Sequence, residues 1–249
     1  MRYLILSLFF SANISYGAVK TKSTPIVKTQ KVVSVDLTTM ALRLPYENRI
    51  EALKEQGAPA LENLKKISAN PKEPLNNRWK ALIAYGELAR NKAEPVVKSF
   101  FKSKDWYMRA AALHAMRFGD RIEALKWCSQ MLNDPALMVR TSAVQVIDKM
   151  AGRELTSLLW EKLYSAENYH RGKSLWIRRN ILEVLAKNSN PNDLNRYMRI
   201  LNQEDESLHP IVVKALTSIT GIARDERKYP TIDDQKQAWT DWASSRQTL

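Results

Sequence analysis

Asp134-Pro135-Ala136-Leu137-Met138-Val139-Arg140-Thr141-Ser142-Ala143-Val144-Gln145-Val146-Ile147 is the stretch that decides the fold. Arg140 is followed three residues later by Ala143 and seven later by Ile147, and the same triplet returns as Arg78/Ala81/Tyr85, Arg109/Ala112/Met116 and Arg178/Ile181/Leu185. The arginines are 31, 31 and 38 residues apart. The series extends back to Arg49/Ala52/Gln56 and, with valine in place of arginine, forward to Val212/Ala215/Ile219. Each unit is long enough for two short helices and two turns. A period of this size implies a solenoid of about six units, in which no unit buries its apolar face alone and each closes on its neighbours.

The third and fourth units show the pattern most plainly. Trp106 to Arg117 carries Met108, Ala110, Ala111, Leu113 and Met116 at mixed three and four spacing, Gly119 follows, and Arg121 to Leu132 carries Leu125, Trp127, Cys128, Met131 and Leu132. Asp134-Pro135 reads as a side-chain cap followed by proline in the first turn of the next helix, Leu137 to Met150. Its partner is Glu154 to Tyr164, with Leu155, Leu158, Leu159, Trp160 and Leu163 as a broad apolar stripe. Gly57, Gly86, Gly119, Gly152 and Gly221 fall near the ends of expected helices, where a left-handed residue is at home.

These units resemble HEAT repeats, members of the armadillo and HEAT superfamily. The matching residues are Asp105 with Tyr107-Met108-Arg109-x-x-Ala112, and Asp134-Pro135 with Met138-Val139-Arg140-x-x-Ala143-x-x-x-Ile147. The resemblance implies an all-α fold, a right-handed α-solenoid of about six helix pairs. It also implies that Asp and Arg bond across the inter-repeat turn and that the alanines permit close helix approach. Ala215-Leu216-Thr217-Ser218-Ile219-Thr220-Gly221, a polar loop and Trp239-x-x-Trp242 resemble the closing segment of bacterial secreted HEAT-repeat proteins, with a capping helix over about 231–245. The fifth unit departs from the pattern: it has Ile181 where alanine is usual and is preceded by the insertion Ser165 to Ser174, while the sixth lacks the arginine. A bend or widening is expected between Tyr169 and Trp176.

Residues 1–17 read as a signal peptide: Arg2, an apolar run from Tyr3 to Phe10, and Ser15-Tyr16-Gly17 before a mature chain starting at Ala18. The run is short of the roughly 20 residues that span a bilayer. A periplasmic or secreted location is therefore expected. Cys128 is the only cysteine, so the fold holds without an internal disulfide, and its apolar neighbours mark it as a core residue. Residues 18–44 are rich in Lys, Thr, Val and Ser and read as a basic, largely irregular arm, in which Lys31 to Leu37 alternates weakly enough to pair as a strand. The solenoid is expected over 45–249, opening at Pro45.

The net charge is +13, and both arm and solenoid are cationic. The expected second helices carry Lys65 and Lys66, Lys98 and Lys102, Arg121 and Lys126, Arg153 and Lys162, then Arg196 and Arg199. If these helices line a concave face, the cations form a stripe suited to an acidic protein, anionic lipid, a polyanionic glycan or nucleic acid. A solvated helix face supplies the same lysines without any ligand. Of seven tryptophans, Trp79, Trp127 and Trp160 read as filling between repeats, whereas Trp106 beside Tyr107, and Trp176 beside Arg178-Arg179, read as exposed contact residues.

No catalytic constellation stands out. His114, His170 and His209 share no helix face at metal-ligand spacing, and neither a glycine-rich phosphate loop nor a nucleophile elbow is present. Asp205-Glu206 and Asp233-Asp234 read as favourable charges at helix N-termini. The reading is a non-catalytic, monomeric scaffold without metal or cofactor, binding an acidic envelope protein along its concave face. An anionic lipid or glycan binder is the alternative. HEAT-like solenoids also include alkylated-base DNA glycosylases and bilin lyases; the secretion signal opposes the first and with it nucleic acid, and no dedicated acid or nucleophile supports the second.

Overall fold

In a computed structural model, which describes residues 34–202, 205–222, 225 and 227–247, the ladder arginines all lie on the first helices of successive hairpins. These first helices are α2 (Tyr46–Gln56), α4 (Leu75–Ala89), α6 (Trp106–Met116), α8 (Leu137–Lys149), α10 (Trp176–Lys187) and α12 (His209–Thr220). The second helices are α3 (Ala58–Ala69), α5 (Glu94–Phe100), α7 (Arg121–Met131), α9 (Thr156–Leu163) and α11 (Leu194–Leu201), and α13 (Ile232–Gln247) closes the stack on α12. The fold is all-α, and the described residues lie within the unit Val33–Leu249.

Small residues set the spacing of the two layers. From α4 to α12 each first helix packs directly on the next, whereas successive second helices make no comparably close backbone approach. Ala81, Ala84, Ala111, Ala112, Ala115 and Ala143 are all buried along the first-helix layer. At Gly86 the approach is closest: a Cβ there would lie 2.6 Å from the carbonyl oxygen of Ala115 and 2.7 Å from its Cα. Side-chain size at the contact sets interaxial distance, so the first helices form the tighter layer. Each second helix packs against the first helix that follows it, α3 on α4, α5 on α6, α7 on α8, α9 on α10 and α11 on α12. The seam between the layers is filled by Leu64, Leu82, Val97, Leu113, Leu132, Ile147, Leu163, Leu182 and Leu216, all essentially inaccessible. Each such side chain contributes about 1.5–3 kcal/mol of burial.

Polar rungs connect the units at the turns from each second helix to the next first helix. Arg78 Nη1 donates to Asp105 at 3.4 Å and to the Tyr107 hydroxyl at 3.1 Å. Arg109 holds Asp134 through Nε at 2.6 Å and Nη2 at 2.8 Å. Arg178 Nη1 reaches Asp205 at 2.7 Å. The same guanidinium groups donate to backbone carbonyls that have no helical donor left: Ser68 from Arg78, Ser103 from Arg109 and Leu163 from Arg178. The arginine thus ties the end of one hairpin to the start of the next. In the fourth unit asparagine replaces aspartate, and Arg140 Nε donates to Asn168 Oδ1 at 3.1 Å while its Nη atoms take the carbonyls of Asp134 and Glu167.

Several details differ from the expectation. Residues 35–43 are not an irregular arm or a strand but helix α1 (Val35–Arg43). Ser34 caps it by accepting the Leu37 N–H, and Thr38, Ala41 and Leu42 form a buried face against α3 and α4. Thr38 is fixed by donating to Gln56 Oε1 at 2.9 Å and accepting from Asn63 Nδ2 at 3.0 Å. Packing against the first hairpin overrides a weak local strand pattern. Pro135 precedes α8 instead of opening it, because Asp134 is engaged by Arg109 and accepts only the Ala136 N–H. Asp205 serves as the carboxylate of a rung, not as a charge tuned to a helix terminus. Gly86 lies inside α4, whereas Gly221 is the left-handed residue that ends α12, with φ of 79°.

The insertion loops out without breaking the ladder. Strands β1 (Tyr169–His170) and β2 (Lys173–Ser174) pair antiparallel around Arg171-Gly172, both with positive φ as a tight two-residue hairpin requires. Leu175 N–H then returns to Asn168 O at 3.0 Å. At the C-terminal end Trp239 is fully buried and meets Trp242 edge-on at 5.2 Å, as a cap over the last repeat requires. The proposed signal peptide and the arm up to residue 33 lie outside the described residues.

Candidate binding surface

The lysines and arginines expected to form one stripe do not assemble into a free cationic surface. Lys98 sits between Glu94 at 2.6 Å and Glu123 at 2.9 Å, and Lys126 shares Glu123 at 3.4 Å. Lys162 is buried: its side chain keeps 10% of its accessibility and its Nζ lies 3.7 and 3.9 Å from Glu161 and Glu167. It falls on the inward side of α9 next to Leu159 and Leu163, so it presents no charge to a ligand. Arg121 is paired with Glu154, whose carboxyl this guanidinium holds down at about 2. Arg196 pairs with Asp193 at 3.3 Å and lies over the Trp160 ring at 5.3 Å. Lys65, Lys102 and Arg199 are exposed and have no ion pair among the described residues. Acidic neighbours, some on the same helix and Glu123 on the next second helix, engage half of the cations of the stripe.

Most exposed aromatic side chains lie instead near the starts of the first helices, Tyr164 at the end of α9 being the exception. Trp106 is 45% exposed and Trp176 54%, in keeping with their reading as surface residues. Trp79, expected to fill between repeats, joins them instead at 37%, because it follows the ladder arginine on the side of α4 away from the buried Ala81, and Met138 does so at 41%. Relative to the ladder arginine, Trp106 is three residues before, Met138 and Trp176 two before, and Trp79 one after; these offsets share one side of a helix. Two contacts fix the lateral register. Trp176 Nε1 on α10 donates to Thr141 Oγ1 on α8 at 3.1 Å, and Tyr107 on α6 takes the Arg78 guanidinium of α4 over its ring at 5.9 Å while packing edge-on to Trp106. The start of each first helix therefore lies beside the second turn of the one before. Trp79, Trp106, Met138 and Trp176 follow one another across α4, α6, α8 and α10 as a ridge along the inter-repeat-turn edge.

Trp127 stacks on Phe101 at 4.2 Å and Trp160 meets Tyr197 at 5.1 Å, so these indoles fill the seam as expected. Burial pushes the Cys128 thiol up to about 12, which leaves it protonated and inert. Burial, with Arg117 and Lys149 nearby, pushes His114 down to about 4. Among the described residues no group of three His, Cys, Asp or Glu side chains is placed to hold a metal ion. A polar cleft of about 480 Å³ is lined by Arg153, Thr156, Lys187, Asn188, Ser189 and Asn190. Arg153 Nε donates to Asn188, and Lys187 is held by Asp148 at 2.6 Å, so its two cations are already engaged.

No protein-family model and no curated protein matches the chain. Among solved structures, the complex of CpcE and CpcF of phycocyanin lyase from Nostoc sp. PCC7120 is similar over 91% of this chain and 100% of that one, at 16% identity and a TM-score of 0.30.

Proposed function

We propose that this chain is a non-catalytic scaffold that binds a partner protein through the aromatic ridge of its first helices. The observation that carries the reading is the recurrence of an exposed large apolar side chain on the same side of four successive first helices, Trp79, Trp106, Met138 and Trp176. Aromatic anchors with two rotatable bonds lose little entropy on docking and dominate interface energies. A rigid stack holds them in register before any partner arrives, which lowers the cost of association. The signal-like N-terminus supports action in the periplasm or outside the cell, on an envelope protein with acidic surface. The exposed cations Lys65, Lys102 and Arg199 support the rival reading, an anionic lipid or glycan surface held by the second helices.

A photo-cross-linking residue placed at Met138, and separately at Lys65, in the full chain expressed in its native host tests this. The proposal expects one polypeptide attached from position 138, whose binding to the purified chain falls at least about tenfold in the double variant Trp106→Ala/Trp176→Ala. Attachment from position 65 alone, or binding untouched by the double variant, contradicts it.

A further inference from the structure

We infer that the ridge recognises an extended, acidic and apolar polypeptide segment laid along the turn edge, about three residues per repeat. This rests on the scaffold reading above and adds the chemistry and the register of the partner. The turns that lead into the ridge helices present Lys72 before α4, Lys104 before α6, and Arg171 and Lys173 on the hairpin before α10; all are exposed, and none has an ion pair among the described residues. Cation and aromatic follow one another along the chain: Lys72 seven residues before Trp79, Lys104 two before Trp106, Lys173 three before Trp176. The turn before α8 contributes no cation and its helix offers Met138, the most adaptable of the four apolar anchors.

The acids on the same edge are mostly withdrawn. Asp105, Asp134 and Asp205 are paired with Arg78, Arg109 and Arg178, and the exposed Glu167 lies 3.9 Å from Lys162, which leaves Glu73 and Glu206 without an ion pair among the described residues of these turns. The outward field of the edge is cationic, and apolar sites punctuate it. A uniformly charged chain such as a sulfated glycan or a nucleic acid matches only the lysines and leaves the ridge without apolar partners. A polypeptide can place a carboxylate and an apolar side chain alternately. Packed helices lie about 8–10 Å apart, and an extended polyproline-type chain advances about 9 Å in three residues. A tripeptide period therefore meets one first helix after another.

The test uses a fluorescent peptide of about five Glu-Leu-Pro repeats, whose prolines hold the extended form, with Gln-Leu-Pro and Lys-Leu-Pro versions of equal length, heparin, and vesicles of anionic phospholipid. The expected result is that the full chain binds the glutamate peptide at least about tenfold more tightly than the glutamine one, with affinity falling as salt rises to about 0.3 M. Lys104→Glu/Lys173→Glu should abolish that preference while leaving the thermal melt unchanged, and Trp106→Ala/Trp176→Ala should remove binding of both peptides. Equal affinity for the glutamate and glutamine peptides, both lost in the tryptophan variant, overturns the acidic assignment but leaves the scaffold reading intact. Tighter, ridge-dependent binding of heparin or vesicles overturns the choice of a polypeptide. Binding of none of the peptides overturns the inference, and the cross-linking from Met138 then decides separately whether the scaffold reading survives.

Discussion

The guanidinium of Arg109 grips both carboxylate oxygens of Asp134, 25 residues further along the chain, at 2.6 and 2.8 Å. Both side chains are nearly shielded from solvent, with 13% and 4% of their accessibility left. Removing one partner of such a pair leaves the other charge buried and unsatisfied, which costs about 3–5 kcal/mol. Asp134→Ala is therefore expected to lower unfolding stability by about 3 kcal/mol in urea denaturation. Asp105 at the preceding rung is 43% exposed and 3.4 Å from Arg78, so Asp105→Ala should cost no more than about 1 kcal/mol. Equal losses at the two rungs would show that the ladder acts through something other than buried charge pairing.

His114 gives the fold a pH dependence. Its folded pKa of about 4 lies below the ordinary histidine value of 6.5, so between those pH values the unfolded chain binds the extra proton and stability rises with pH. Acidification across this window should remove up to about 3 kcal/mol, a loss complete near pH 4 and absent above pH 7. In His114→Gln the slope between pH 6.5 and 5 should disappear, as measured by thermal melts at each pH. An unchanged slope would assign the effect to other groups.

Close approach of α4 and α6 at Gly86 predicts that Gly86→Ala drives the helices apart and costs about 1–3 kcal/mol, although alanine favours helix locally. The opposite sign is expected four residues later. Arg90 ends α4 with φ of 50° and ψ of −127°, a region that glycine enters without strain. Arg90→Gly should stabilise the chain by about 1 kcal/mol. Denaturation midpoints of the two variants on opposite sides of wild type would agree with this account, and a neutral or stabilising Gly86→Ala would contradict it.

Cys128 should resist thiol reagents at neutral pH in the native state and react at once in denaturant. Its sulfur is buried and its pKa is pushed up to about 12 by that burial. The labelling rate should follow global unfolding; fast labelling without unfolding would place the thiol at an opening seam.

The repeats are legible because α4, α6 and α8 each carry an arginine, an alanine and a large residue at one fixed spacing, with α10 and α12 departing at one position each. Arg178–Asp205 and the buried Ala112 and Ala143 follow directly from that pattern. Helix α1 was not legible, since Thr38, Ala41 and Leu42 make an apolar face only once α3 and α4 lie beneath them. The cationic stripe is only partly legible for a related reason: Lys98 has Glu94 four residues before it, but its second partner, Glu123 on the next second helix, is visible only after the units are stacked. Trp79 was assigned to the space between repeats, and Met138 only to the repeat motif, because a linear reading does not show which side of the helix each one faces. Counting positions around the helix instead of along the chain would have placed all of them opposite the buried alanines.

Hydrogen–deuterium exchange of the full chain, alone and bound to the partner cross-linked from Met138, tests the central claim most directly. Amides in the first turns of α4, α6, α8 and α10, and in the turns that carry Lys72, Lys104 and Lys173, should exchange more slowly in the complex, while α3, α5, α7 and α9 remain unchanged. Protection confined to the second helices would contradict the account and return the binding surface to their lysines.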